Sequence, residues 1–147
     1  MTKGRDMKSV GGLLEKISER NRPFLNRCSE TKYLAVSDPA RATDEYRDLV
    51  RQFLSSKSVE QVKDGSCREE YAEVLSALEA GQLDSHFLAS LSSLRGVFLD
   101  SVLRPAVREY LEGSSRSTSK VEELYDSAVK ISGLIETMKF IRRVRPA

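Results

Sequence analysis

The chain has 147 residues, 39% of them hydrophobic and 31% charged, with a formal net charge of +2 and no tryptophan. Those totals fit one globular domain: too apolar for a disordered coil, and without any run near the roughly 20 apolar residues that span a bilayer. With no secretory h-region either, the expectation is a soluble intracellular protein, most simply cytoplasmic, with mitochondrion and nucleus left open.

Charge is unevenly spread. Residues 1–32 carry eight Lys or Arg against four acids, residues 139–147 carry four basic residues and no acid, and residues 33–138 carry 12 basic and 18 acidic residues. The molecule therefore has two basic ends and an acidic body. Such a layout steers association with an acidic partner or orders subunits in an assembly.

In chain order, residues 1–9 read as a flexible basic lead-in. Met7, Val10, Leu14 and Ile17, with Leu13 beside them, then recur at helical spacing, and Asn21 and Pro23 are expected to end that short helix. Tyr33-Leu34-Ala35-Val36 reads as coil or helix edge, because no second strand exists to pair with it. Asp38 followed by Pro39 is a strong helix start. Behind it, Ala40, Ala42, Tyr46, Leu49, Val50, Phe53 and Leu54 make a buried face, opposite a wet face of Asp44, Glu45, Arg47, Asp48, Arg51 and Gln52. A turn carrying Val59 and Val62 leads to Asp64-Gly65.

Ser66 and Glu69 have capping-box spacing ahead of a seam of Tyr71, Val74, Leu75 and Leu78, which Gly81 should close. Asp84 can cap a long segment running to Glu112. That segment shows two apolar stripes, one of Phe87, Leu91, Leu94, Phe98 and Val102, the other of Leu88, Leu99, Leu103, Val107 and Leu111. Two stripes predict the central element of the core, kinked near Val102–Arg104 by Pro105. Residues 113–119 read as a hinge. Its Ser114, Ser115, Ser117, Thr118 and Ser119 lie near Arg116 and Lys120, a candidate cluster for phosphorylation.

The last helix is expected over 120–144, with Ser119 and Glu122 at capping-box spacing. Its heptad-like seam of Val121, Leu124, Ala128, Ile131, Ile135 and Met138, flanked by Tyr125 and Leu134, packs either into its own bundle or against a partner helix. The fold class is thus all-α: one domain over residues 1–147, an irregular bundle of about five helices with a C-terminal amphipathic helix.

Catalytic and metal chemistry find no constellation. His86 is the single histidine, placed at a helix start beside Asp84. Asp44-Glu45, Glu69-Glu70 and Glu122-Glu123 suit first helical turns, where acids face the positive end of the helix dipole. Cys28 and Cys67 form neither a metal spacing nor a disulfide framework. No phosphate loop or nucleophile elbow is present, so no cofactor is expected and no motif identifies a family. The reading that follows is a non-enzymatic interaction module or complex subunit. Its partner is another protein with an acidic surface, or a second copy through the last helix. The candidate binding residues are Val121, Leu124, Ala128, Ile131, Ile135 and Met138 with Lys139, Arg142, Arg143 and Arg145. Nucleic acid or an anionic membrane at the basic ends is the alternative.

Overall fold

The structure, a computed structural model, describes residues 7–57, 59, 63–81, 83–113 and 119–144, with side chains from residue 12 onward. The backbone is helical throughout these residues apart from short links, and no strand occurs among them. Arg145, residues 114–118 of the hinge with their candidate phosphorylation positions, Val62, and residues 1–6 of the lead-in lie outside the described residues.

Helix α1 spans Met7–Ser37, which corrects the sequence reading twice. It begins within the stretch read as a flexible lead-in, and it continues unbroken through Asn21, Pro23 and the Tyr33–Val36 segment. Its buried stripe explains why. Ile17, Asn21, Phe24, Cys28, Thr31 and Ala35 are all buried, at intervals of four, three, four, three and four. Asn21 and Thr31 occupy apolar positions by bonding their side chains to their own helix: Asn21 Nδ2 donates to the Ile17 carbonyl at 2.9 Å, and Thr31 Oγ1 donates to the Arg27 carbonyl at 2.8 Å. Pro23 lies on the exposed side. There water can satisfy the Glu19 carbonyl that proline's missing N–H leaves without its helical donor. Tertiary packing along the rest of α1 outweighs that local cost.

Asp38 caps α2 (Pro39–Leu54), accepting from the Arg41 amide at 3.4 Å. The buried face is as the sequence reads, except that Ala40 is exposed. Val59 is buried beyond its end. Helix α3 runs Arg68–Glu79 with buried Cys67 at its N-cap and no side-chain capping bond, so the Ser66–Glu69 box is not what starts it. Gly81 closes it at φ +75, a left-handed conformation that glycine adopts without a Cβ penalty.

Asp84 caps α4 (Ser85–Phe98) through the amides of His86 and Phe87 at 3.0 and 3.1 Å. A π-helical stretch, Leu99–Leu103, then leads directly into α5, Arg104–Leu111. Here the Pro105 ring would crowd the Ser101 carbonyl and withholds its donor. The chain answers by widening, and the Arg104 amide bonds back five residues to the Leu99 carbonyl. The buried apolar positions are therefore Phe87, Leu91, Leu94, Phe98, Leu103, Ala106 and Tyr110, with one interval of five across the wide turn. What reads in sequence as two stripes is mainly one buried face with a phase jump.

Helix α6, Ser119–Val144, is the centre of the bundle, a place the sequence reading gave to residues 84–112. It touches α1, α2, α4, the π stretch and α5. Its residues are buried on more than one side, including Glu122, Ser127 and Thr137 as well as the apolar seam. Paired contacts set its direction. Asn21 meets Asp126 and Lys32 meets Phe140, so α1 and α6 run parallel at a nearly constant offset. Tyr46 meets Leu134 while Lys57 meets Glu123, so α2 runs antiparallel to α6. Core residues of α1–α6 join one apolar cluster, each large side chain contributing about 1.5–3 kcal/mol by leaving water.

Candidate functional site

All six apolar residues of the predicted seam, Val121, Leu124, Ala128, Ile131, Ile135 and Met138, are buried within the chain's own bundle. They are not presented to solvent. Of the basic cluster, Lys139 and Arg143 are exposed and Arg142 is half-buried. The structure thus separates the two halves of the expected site: the seam closes the core, and the cations cap its edge.

The side of α6 that faces α1 is a different line of residues, and it is polar at one end. Glu122 takes Lys16 and Arg20 at 3.4 Å each. Asp126 takes Arg20 at 3.1 Å and the Asn21 amide at 2.7 Å. Asn21 Oδ1 is buried with no hydrogen-bond partner among the described residues. Midway, Gly133 lets the helices approach: a Cβ there would stand 3.0 Å from Leu25 Cδ2 and 3.6 Å from Cys28 Sγ. Burial pushes the Cys28 thiol above its usual range, against the opposing hydrogen bond of Thr137. Farther along α1, Arg27 bridges to Glu45 and Asp48 of α2 at 3.1 and 2.9 Å. Its guanidinium is held still more firmly protonated, first by Asp48 and then by Glu45.

At the opposite end the character changes. α1 and α6 finish side by side, and the register that pairs Lys32 with Phe140 brings Val36 level with the last turn of α6. Four large apolar side chains are exposed among the described residues, Tyr33 at 80%, Val36 at 60%, and Leu14 and Val144 at 38%. Three of the four belong to this end. Ser29, Lys32, Tyr33, Val36, Ser37 and Phe140 line a cleft of about 700 Å³, and Lys32 Nζ stands 5.9 Å over the Phe140 ring. Lys139 reaches only Glu136 on its own helix, at 3.8 Å, and Lys32, Arg142 and Arg143 meet no acidic side chain among the described residues. Positive charge also suits two helix C-termini, where the backbone carbonyls point outward. The sequence does not single out Tyr33, Val36 or Phe140: the Tyr33–Val36 run reads as coil or helix edge, and Phe140 falls outside the heptad-like seam.

Other candidates are weaker. A cleft of about 480 Å³ lies over Leu103, Val107, Leu111 and Tyr125, rimmed by both signs of charge from Arg104, Arg108 and Glu112. His86 is exposed at the start of α4, and no group of three or more metal-ligating side chains occurs among the described residues. Cys28 and Cys67 are separate, buried free thiols. No helix among the described residues is long and apolar enough to cross a membrane.

No family pattern matches the chain, and no characterised protein and no solved structure matches it either.

Proposed function

We propose that the chain is a non-enzymatic protein-binding module, a subunit or adaptor in a larger assembly, and that it binds through the shared end of α1 and α6. One observation carries this reading: Tyr33 and Val36 stand 80% and 60% exposed beside the Phe140 cleft. The same chain buries every other tyrosine or phenylalanine at least partly. Tyrosine ordered on a rigid helix supplies a large amphipathic contact at small entropic cost, which suits an interface anchor. The basic residues around it speed encounter and reject wrong partners more than they set affinity.

A phosphate-bearing partner, nucleic acid or anionic membrane, is favoured by Lys32, Arg142 and Arg143. Such contacts need no exposed apolar surface, since charge alone supplies non-specific binding to a phosphate backbone. The test is copurification of the intact chain from its source against a Tyr33→Gln, Val36→Gln chain and a Leu14→Gln control. The proposal expects a protein companion retained by the intact chain and the control, and lost from the double variant. Recovery of nucleic acid or lipid alone, or a companion indifferent to the double change, overturns it.

A further inference from the structure

We infer that the first half of α1, up to Pro23, is an arm clasped to α6 by charge, and that it opens as a unit while the rest of the bundle stays closed. The inference is independent of what binds at the Tyr33 end.

One residue sets the boundary. Pro23 has no N–H, so the Glu19 carbonyl lacks its helical donor, and the proline ring crowds the same turn. The helix runs on through it, but its hydrogen-bond ladder is thinnest there. The arm before it, residues 7–22, is about 24 Å long.

The two sides of Pro23 are held by different forces. Beyond it, Phe24 and Cys28 are buried in the main apolar cluster, and Gly133 lets α6 close on Leu25. Thr31 and Ala35 continue the buried stripe, and Arg27 adds its two ion pairs to α2. Before Pro23, among residues 12–22, Ile17 is the one buried apolar side chain, with Leu13 packed half-buried. The remaining ties are polar. Lys16 and Arg20 reach Glu122 at 3.4 Å each, and Arg20 and Asn21 reach Asp126 at 3.1 and 2.7 Å. Among the described residues, no ion pair joins this stretch to any helix but α6.

These ties are easily exchanged for water. The Glu122 and Asp126 side chains are only 9% and 17% exposed in the clasp, and holding them there costs hydration that opening returns. Asn21 Oδ1, buried without a donor among the described residues, also gains water on opening. Attraction to the cations offsets these costs, yet the Lys16 and Arg20 side chains are 66% and 46% exposed, where mobile ions screen them. Burial beyond Pro23 has no such return, because separating Phe24 and Cys28 from the core puts apolar surface into water. A segment with few buried apolar contacts opens at lower free energy than the core it lies on. Opening bares the Glu122–Asp126 face of α6. The Tyr33 end stays in place, since α1 from Phe24 onward remains docked. Salt concentration sets how often this happens.

The experiment follows amide hydrogen exchange residue by residue in the intact chain. It compares about 0.01 M with about 1 M sodium chloride, where screening lengths are about 30 and 3 Å. Amides 16–22 report the arm and amides 28–35 the body, whereas amides 24–26 bond to carbonyls of the arm. In low salt the arm amides should exchange together, at least about ten-fold faster than the body, with a step at Pro23. High salt should widen that step. A Glu122→Gln, Asp126→Asn chain keeps the size of both side chains and removes their charge. Its arm should exchange about five-fold faster than the parent's in low salt and respond little to salt, with residues 28–35 unchanged. Pro23→Ala restores the bond to Glu19 and should slow the arm toward the rate of the body. Arm and body exchanging in step at both salt concentrations would show one cooperative helix and remove the inference. A smooth gradient from Met7 with no step at Pro23 is end fraying, and removes it equally. A step indifferent to salt and to the double change overturns the charge clasp. A double variant that does not fold would place the clasp in the global core, which also defeats the inference.

Discussion

The Tyr46 hydroxyl donates to the Leu134 carbonyl at 2.8 Å, joining α2 to the middle of α6 across 88 positions of sequence. Both groups are buried, and the ring packs edge-on to Phe87 of α4 at 6.2 Å. One side chain thus ties three helices together. Because the Leu134 carbonyl lies inside a helix, it keeps its helical donor when the phenol is removed. Tyr46→Phe should therefore cost only about 1 kcal/mol, read from the denaturation midpoint. A loss of several kcal/mol would mean that the hydroxyl holds more than this carbonyl.

At the close approach of α1 and α6, Gly133→Ala should stay within about 1 kcal/mol of the parent. Alanine gains helix propensity while its Cβ meets the movable end of Leu25 at 3.0 Å. Gly133→Leu should cost about 1–3 kcal/mol by overpacking. Adding Leu25→Ala to it should return part of that loss, as residues in contact are coupled. Independent, additive effects in the double-mutant cycle would show that the helices are farther apart here.

Leu94→Ala and Phe98→Ala should each cost about 2–5 kcal/mol, the sum of lost transfer energy and a cavity; both residues are buried. The same range is expected for Ile131→Ala and Met138→Ala. Loss of binding without loss of stability at those two positions would instead return the seam to a partner surface. Asp48→Ala, at an exposed pair with Arg27, should cost under about 1 kcal/mol.

Stability should fall in alkali. Burial raises Cys28, Cys67 and Tyr46 above their ordinary values of 9.0, 9.0 and 10.0. With folded values raised, the unfolded chain loses these protons first. Their contribution is therefore complete below pH 9 and is lost as pH climbs through the folded values. Lys130, lowered by burial, acts with the opposite sign in the alkaline range. Melts of the parent should hold level to about pH 9 and then decline. In a Cys28→Ala, Cys67→Ala chain the melting point should start lower but decline less steeply. An equal decline would assign the alkaline loss to other groups.

Much of this fold is legible in the sequence, and the misreadings have physical causes. Asp38-Pro39, Gly81 and Asp84 mark their boundaries because a cap acts on its immediate neighbours. α1 hides because Asn21 and Thr31 look like breaks in an apolar stripe, and only the structure shows their side chains turned back to carbonyls one turn earlier. Pro105 signals a disturbance, yet the sequence does not reveal that the disturbance is a wide turn that realigns Phe98 with Leu103. The α6 seam is visible as a heptad pattern, but a heptad does not say whose helix it meets. Tyr33 and Val36 are the reverse case: residue types that favour burial, left outside by the direction α1 takes.

The parallel course of α1 and α6 also has a mechanical consequence. The start of α1 and the finish of α6 lie at opposite ends of the molecule, separated by a helix of 31 residues, about 46 Å. A force applied between them loads the α1–α6 contact in shear, so the Glu122, Asp126 and Gly133 contacts resist together. In the antiparallel pair of α1 and α2, pulling at the free ends would peel contacts one at a time. A handle placed before α1 leaves the Tyr33 end unobstructed, while one placed after α6 sits directly beside it.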